Sequence, residues 1–317
     1  MDAASRRMLL LGAGLAPLVQ RRPRAAEPPS LRIAYLKAPN DLALARAHGT
    51  LERALAPMGV AVQWAGPFAA AAPAVEALNA GAVDMTVGSS TSFITSLAGG
   101  VRLVLFAYQK IDRAAEGILV GRGSAAAGLR DLVGRQVAVN RGGTGEYVLV
   151  RALTTAGLGL DQVRRVYLGP VDANAAFTSG AVEGWAIWDP FLSIAVAGGA
   201  RVLADGAQCG SENAIAYFVR QAFLEQHRAV VQAVFAVLRS ENAWARANMA
   251  EAGAIWARDM GLDAALGGRL GQNNTPPLGA VGVAEAATVE RIADWYAENR
   301  IVPQRPAVRP FLVDLAS

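Results

Sequence analysis

Short apolar runs alternate with longer stretches of helical periodicity from residue 31 onward. The runs Leu31–Tyr35, Val60–Trp64, Asp84–Val87 and Arg102–Tyr108 predict four strands, and the segments between them have the spacing of helices. This alternation predicts an α/β fold with largely parallel sheets.

The pattern restarts after residue 113 and then becomes helical. Further strands are predicted at 117–120, 136–139, 165–168, 184–187 and 201–204, and helices at 222–249, 250–260 and 283–298. Two α/β units and a helical tail predict two lobes with a ligand cleft between them. We expect lobe one to begin at 30–112, lobe two to span 113–207, and 208–317 to return to lobe one and add C-terminal helices.

The first 26 residues have the pattern of an export signal. Arg6 and Arg7 precede an apolar stretch that ends near Val19, which is typical of a twin-arginine (Tat-type) signal peptide at 1–26. The stretch is too short for a membrane-spanning helix, which needs about 20 residues. The sequence therefore predicts a periplasmic protein, exported by the twin-arginine route.

Composition and charge narrow the class of partner. The chain is 53% apolar and 18% charged, which suits a large core. Its formal net charge of +4 arises in residues 1–26, which hold five arginines and one acid; the rest has equal numbers of basic and acidic residues. Such balance argues against nucleic acid as a partner. One cysteine, two histidines and no metal-ligand cluster predict neither a cofactor nor a metal.

Two glycine- or serine-rich junctions follow predicted strands and open helices. The first contains Ser89, Ser90 and Thr91, and the start of a helix can bind an anion through its free N–H groups, although the same residues also serve as ordinary caps. The second junction is not a P-loop, because no Gly-Lys-Ser/Thr follows it. Its candidate ligand residues are Asn140, Arg141, Gly142, Gly143, Thr144 and Tyr147.

A third junction combines aromatic and acidic residues. Trp188 is expected to contact the alkyl portion of a ligand, and Asp189 either accepts from a ligand amine or caps the following helix. Lys37 and Lys110 both follow predicted strands, and Lys37 is a further candidate for contact with an anion.

The chain resembles the aliphatic-sulfonate-binding proteins of bacterial ABC importers, in the wider group with taurine- and nitrate-binding proteins. The resemblance covers about residues 31–310 and lies in the segments 33–37, 51–60, 76–84, 137–142, 147–153 and 185–192. It implies a two-lobe type II periplasmic-binding-protein fold, no catalysis, a small anionic ligand and ABC permease subunits as partners. A monomer suits docking on a transporter.

Departures from the family pattern leave the ligand open. Gly88-Ser89-Ser90-Thr91 stands where the family commonly has Gly-Asp-Thr-Pro, and Gln272-Asn273-Asn274 stands where basic and aromatic residues are common. An aliphatic sulfonate or taurine is the leading expectation. The alternative ligands are nitrate, bicarbonate and a thiamine precursor. The alternative class of protein is a biosynthetic enzyme of the same fold.

Overall fold

The computed structural model describes residues 29–316, which form two β-sheets flanked by helices. The strands are β1 (Ser30–Leu36), β2 (Ala61–Phe68), β3 (Met85–Ser89), β4 (Leu103–Lys110), β5 (Glu116–Val120), β6 (Gln136–Val139), β7 (Arg164–Tyr167), β8 (Gly184–Trp188), β9 (Arg201–Asp205), β10 (Ala214–Arg220) and β11 (Leu278–Gly279). The export signal predicted at 1–26 lies outside the described residues.

Helices cover both sheets. They are α1 (Asp41–His48), α2 (Thr50–Leu55), α3 (Ala71–Asn79), α4 (Ser90–Ala98), α5 (Thr144–Thr155), α6 (Pro170–Thr178), α7 (Phe191–Ala197), α8 (Gln221–Gln226), α9 (Arg228–Ala247), α10 (Met249–Met260), α11 (Gly267–Asn273) and α12 (Val283–Glu298). In the described part of the chain, no helix is long and apolar enough to cross a membrane.

Each sheet belongs to one lobe, and the chain crosses between them twice. The six-stranded sheet of lobe one has the order β11-β4-β10-β3-β1-β2, and the five-stranded sheet of lobe two has the order β7-β6-β8-β5-β9. Residues 111–115 lead from lobe one to lobe two, and residues 206–213 lead back. The expected α/β, two-lobe architecture is confirmed.

The sheets are mixed, so the expectation of largely parallel sheets was wrong. In lobe one, β1 is parallel to β2 and β3, but β10 is antiparallel to both β3 and β4. In lobe two, β5 is antiparallel to β8 and β9. Both β5 and β10 enter their sheets from a crossover between the lobes, and each runs antiparallel to both of its neighbours.

Several elements escaped the sequence prediction, among them β10, β11 and α11. Strand β10 is apolar and central in its sheet, and α11 is a short glycine-rich helix. The predicted helix 222–249 divides at His227 into α8 and α9. The predicted helix 283–298 matches α12 in both bounds.

Candidate functional site

The cleft between the lobes holds a cavity of about 470 Å³ at the carboxyl ends of β1, β3, β6 and β8. Helix α4 of lobe one and helix α5 of lobe two both begin at its wall. A helix start carries partial positive charge, and those of its N–H groups that no cap engages can donate to a ligand, so two such ends favour an anion in the cleft.

The first turn of α4 is capped by its own serines. Ser89 Oγ accepts from Ser92 N (3.2 Å), and Ser92 Oγ accepts from Ser89 N (2.9 Å), which makes a reciprocal capping box. Ser92, Thr95 and Ser96 lie on the cleft together with Ser89, because residues three and four apart share one helix face. The cleft thus receives a row of small hydroxyls from α4.

Ser90 and Thr91, two candidates from the sequence, point away from the cleft lining. Ser90 is fully buried and its Oγ donates to Asn213 Oδ1 (2.9 Å). Thr91 Oγ1 lies 2.7 Å from Ser89 Oγ inside the protein. The candidates were consecutive residues, whereas a helix shows only every third or fourth residue to one side.

The loop before α5 folds tightly around Asn140. Asn140 Oδ1 accepts from Gly145 N (2.8 Å), and a Cβ at Gly143 would lie 1.9 Å from Asn140 Nδ2. Gly142 has φ +65°, and a Cβ there would lie 2.9 Å from the Thr95 side chain of the opposite lobe. Glycine at 142 therefore lets this loop approach α4 closely, and glycine at 143 leaves room for the Asn140 side chain. Asn140, Gly142 and Gly143 line the cavity, as do Arg141 and Thr144.

Arg141 is exposed and lies over an aromatic ring. Its guanidinium carbon is 3.7 Å from the centroid of the Tyr167 ring. The Tyr167 hydroxyl donates to Glu146 Oε1 (2.6 Å), which also accepts from Arg165 Nη1 (2.9 Å). Burial and the hydrogen bond to Glu146 raise the pKa of Tyr167. This stack holds a positive charge at the mouth of the cleft.

Trp188 and Asp189 both line the cavity, but Asp189 is already engaged. Asp189 Oδ1 accepts from Ser193 N (3.0 Å) in the first turn of α7, and Oδ2 accepts from Asn273 Nδ2 (3.1 Å) and Asn274 Nδ2 (3.0 Å). Burial raises the pKa of Asp189 against these hydrogen bonds. Its position fits the capping role rather than capture of a ligand amine.

Lys37 and Tyr147 also lie outside the cavity lining. Lys37 follows β1, where Leu36 and Ala38 face the cleft, so alternation turns the lysine side chain to solvent. Lys110 lines the cavity instead. Tyr147 is buried, with its ring stacked on Tyr296 at a centroid distance of 5.9 Å, so it packs α5 against α12.

Apolar side chains make most of the remaining wall. They are Leu36, Ala38, Pro39, Ala70, Ala71, Ala72, Pro73, Val87, Ile111, Ala115, Leu168, Pro170, Ile215 and Pro276. Among the lining residues of the described chain, the only carboxylates are the engaged Asp189 and the exposed Asp112. The cleft therefore pairs cationic and hydroxyl groups with an apolar wall.

Several lining residues were absent from the sequence candidates. Ser92, Thr95 and Ser96 could have been found by extending the first junction at helical spacing. Tyr167 follows the rule that strand ends meet at the cleft, because it closes β7. Asn273 and Asn274 stand in the segment where the sequence departs from the family pattern, and nothing in their local spacing places them against Asp189.

Known proteins resemble this chain in sequence and in fold. The NMT1/THI5 like family matches residues 56–252. The periplasmic aliphatic sulphonate binding protein SsuA from Escherichia coli is 33% identical, with a TM-score of 0.80 over 90% of this chain and 92% of that one. The alkanesulfonate-binding protein SsuA from Xanthomonas axonopodis pv. citri, bound to MOPS, is 30% identical, with a TM-score of 0.84 over 92% and 100%.

An enzyme shares the fold at lower identity. The desulfurization enzyme DSZB is 18% identical, with a TM-score of 0.64 over 90% of this chain and 96% of that one. At that identity the likeness concerns the fold alone. The matched family model and the two SsuA proteins confirm the resemblance seen in the sequence: the chain belongs to the NMT1/THI5-like family, as a relative of the periplasmic aliphatic-sulfonate-binding proteins.

Proposed function

We propose that this protein binds an aliphatic sulfonate in the cleft between its lobes and presents it to an ABC importer in the periplasm. The observation that carries the proposal is that one cavity combines two helix starts, α4 and α5, and the stacked cation Arg141 with an apolar wall. A sulfonate group fits the first and an alkyl chain fits the second.

The anionic end of the ligand lies, in this proposal, between Ser89 and Thr144. Both residues border the cavity at the starts of their helices, and Ser92 adds a hydroxyl beside them. Arg141 and Lys110 supply positive charge, and neither forms an ion pair with an acid in the described chain. The relatives named for aliphatic sulphonates and alkanesulfonates support this choice of anion.

Other ligands fit the cleft less well. Nitrate or bicarbonate would leave most of a 470 Å³ cavity without contact. A thiamine precursor would need an acidic wall, but Asp189 already accepts three hydrogen bonds. We therefore place these ligands second.

We further propose that the protein acts by binding and not by catalysis. Within residues 29–316, neither a cysteine nor a histidine lines the cavity. Cys209 is fully buried and its thiol donates to Ala204 O (3.8 Å), while His48 Nδ1 lies 2.8 Å from Glu241 Oε2. The described cleft thus offers serine hydroxyls but no thiol, and no histidine, the side chain that most often acts as the base that activates a hydroxyl.

A thermal-shift series on the purified protein tests the ligand class. Butane-1-sulfonate should raise the unfolding midpoint in a saturable way, because a ligand that binds only the folded state stabilises it. Nitrate, bicarbonate and a hydroxymethylpyrimidine should leave the midpoint unchanged at equal concentration. A shift of the midpoint with the pyrimidine alone would contradict the sulfonate and identify the ligand as a thiamine precursor. Arg141→Ala, which removes the exposed cation, should weaken the sulfonate response.

A further inference from the structure

Asn213 lies in the crossover 206–213 and touches both lobes. It is fully buried and stands one residue before β10. Its Oδ1 accepts from Ser90 Oγ (2.9 Å), and Ser90 is the first residue of α4 in lobe one. Its Nδ2 donates to Thr144 Oγ1 (2.9 Å), and Thr144 is the first residue of α5 in lobe two.

The surrounding bonds fix the Asn213 amide in this orientation. Asn213 Nδ2 also donates to Glu116 Oε2 (3.2 Å), and Asn213 N donates to Ser211 Oγ (3.2 Å). The backbone carbonyl of Asn213 accepts from Ile111 N (3.2 Å) in the other crossover. Ser90 Oγ accepts in turn from Ala214 N (3.2 Å). Every polar atom of Asn213 is therefore satisfied, and a buried network of this kind permits one geometry.

We infer that Asn213 is a positioning residue, which sets the separation of the two helix starts that face the anion. The inference rests on the proposed function. A single amide joins the first residue of α4 to the first residue of α5, so in this arrangement of the lobes it links the two helix starts that bring Ser89 and Thr144 to the cavity. An anion held by donors on both helices loses affinity when that distance is free to vary.

Ligand titration of three variants by calorimetry tests this role. The probe is butane-1-sulfonate, at a temperature well below the unfolding midpoint of each variant. Asn213→Ala removes both bridging bonds, and Ser90→Ala removes only the bond on the lobe-one side. Both should raise Kd by about tenfold or more, which corresponds to about 1.4 kcal/mol.

Thr86→Val is the matched control for loss of a buried hydrogen bond. Thr86 is fully buried in β3, and its Oγ1 donates to Ala34 O (3.1 Å) within lobe one alone. The control should lower the unfolding midpoint and leave Kd within about twofold of the parent. If Asn213→Ala does not fold, Ser90→Ala carries the test.

Two results would overturn the inference in distinguishable ways. A Kd for Asn213→Ala and Ser90→Ala within about twofold of the parent, while the parent binds the sulfonate, would remove the positioning role alone. An equal loss of affinity in Thr86→Val would assign the effect to general destabilisation. Absence of binding by the parent protein would contradict the proposed function and, with it, this inference.

Discussion

Arg141 lies over the ring of Tyr167, with its guanidinium carbon 3.7 Å from the ring centroid. The hydroxyl of the same ring is held by Glu146 at 2.6 Å. Glu146 Oε2 also accepts from Gly142 N (2.7 Å), so one buried carboxylate fixes both the loop and the ring under the arginine. The cation at the mouth of the cleft thus depends on a residue that does not itself face the ligand.

Replacing Tyr167 separates the ring from its hydroxyl. Tyr167→Leu removes the surface on which Arg141 lies, and we expect sulfonate affinity to fall by about five- to tenfold, given a cation–π energy of about 1 kcal/mol. Tyr167→Phe keeps the ring and should stay within about threefold of the parent. Calorimetric titration measures both. Equal losses in the two variants would assign the effect to the hydroxyl and contradict the role of the ring.

Trp188 is expected to contact the alkyl chain and not the sulfonate. Trp188→Ala should weaken butane-1-sulfonate by about tenfold and methanesulfonate by less than about twofold, because each buried methylene contributes about 0.8 kcal/mol. The ratio of the two affinities, measured by titration, carries the result. An equal loss of affinity for both ligands would indicate that Trp188 contacts the sulfonate group and not the alkyl chain of the ligand.

Gly143 tests the tight loop before α5. A Cβ at this position would lie 1.9 Å from Asn140 Nδ2, so Gly143→Ala must displace the Asn140 side chain from Gly145 N. We expect sulfonate affinity to fall by about tenfold or more. Gly123→Ala is the matched control, because a Cβ at Gly123 meets no atom within 4 Å. Unchanged binding in Gly143→Ala would show that the loop does not shape the anion site.

The buried carboxyl group of Glu116 should make the stability of the folded protein depend on pH. Burial raises the pKa of Glu116 from 4.5 to about 7, against hydrogen bonds from Ser211 and Asn213. As pH rises, the unfolded chain loses this proton at a lower pH than the folded protein does. The free energy of unfolding is therefore highest below pH 4.5 and falls as pH rises toward about 7. The expected loss is roughly 3 kcal/mol for this group.

Asp41 acts in the same direction. Burial raises its pKa from 3.8 to about 7, so the parent protein carries the contributions of both groups. Glu116→Gln should remove the Glu116 part of the slope. Urea unfolding at pH 5 and pH 8 measures it. A parent protein more stable at pH 8 than at pH 5, or an unchanged slope in Glu116→Gln, would contradict the assignment.

The sequence predicted the two lobes and the two helix starts because both rest on local pattern. Buried strands are recognisable in the sequence as short apolar runs. Small residues at the ends of such runs, such as the N-cap residues Ser89 and Gly143, indicate a helix start at a cleft. Contacts between distant segments have no such signature. The bond of Asn273 to Asp189, and the bridge from Asn213 to both helices, join residues far apart in the chain.

The side chains that the sequence misplaced follow from single-residue geometry. Lys37 alternates away from the cleft, and Ser90 lies on the inner face of α4 one position from a lining residue. Tyr147 is aromatic and close to the loop, but it packs on Tyr296 in the contact between α5 and α12. In each case the direction of the side chain, and not its closeness in sequence to a lining residue, determines whether it reaches the cleft.

Calorimetric titration of the purified protein with propane-1-sulfonate and with taurine tests the central claim most directly, because the two ligands differ only by a methyl in place of an ammonium group. In the described cleft the one buried carboxylate, Asp189, already accepts three hydrogen bonds, and the other, Asp112, is exposed and accepts from Ala114 N (2.8 Å), so an ammonium group deep in the cavity finds no free carboxylate. We predict saturable binding of propane-1-sulfonate, with taurine weaker by about tenfold or more. If neither sulfonate gives a measurable heat of binding, the proposed function is contradicted. Taurine binding as tight as that of propane-1-sulfonate would contradict the apolar character assigned to the cleft.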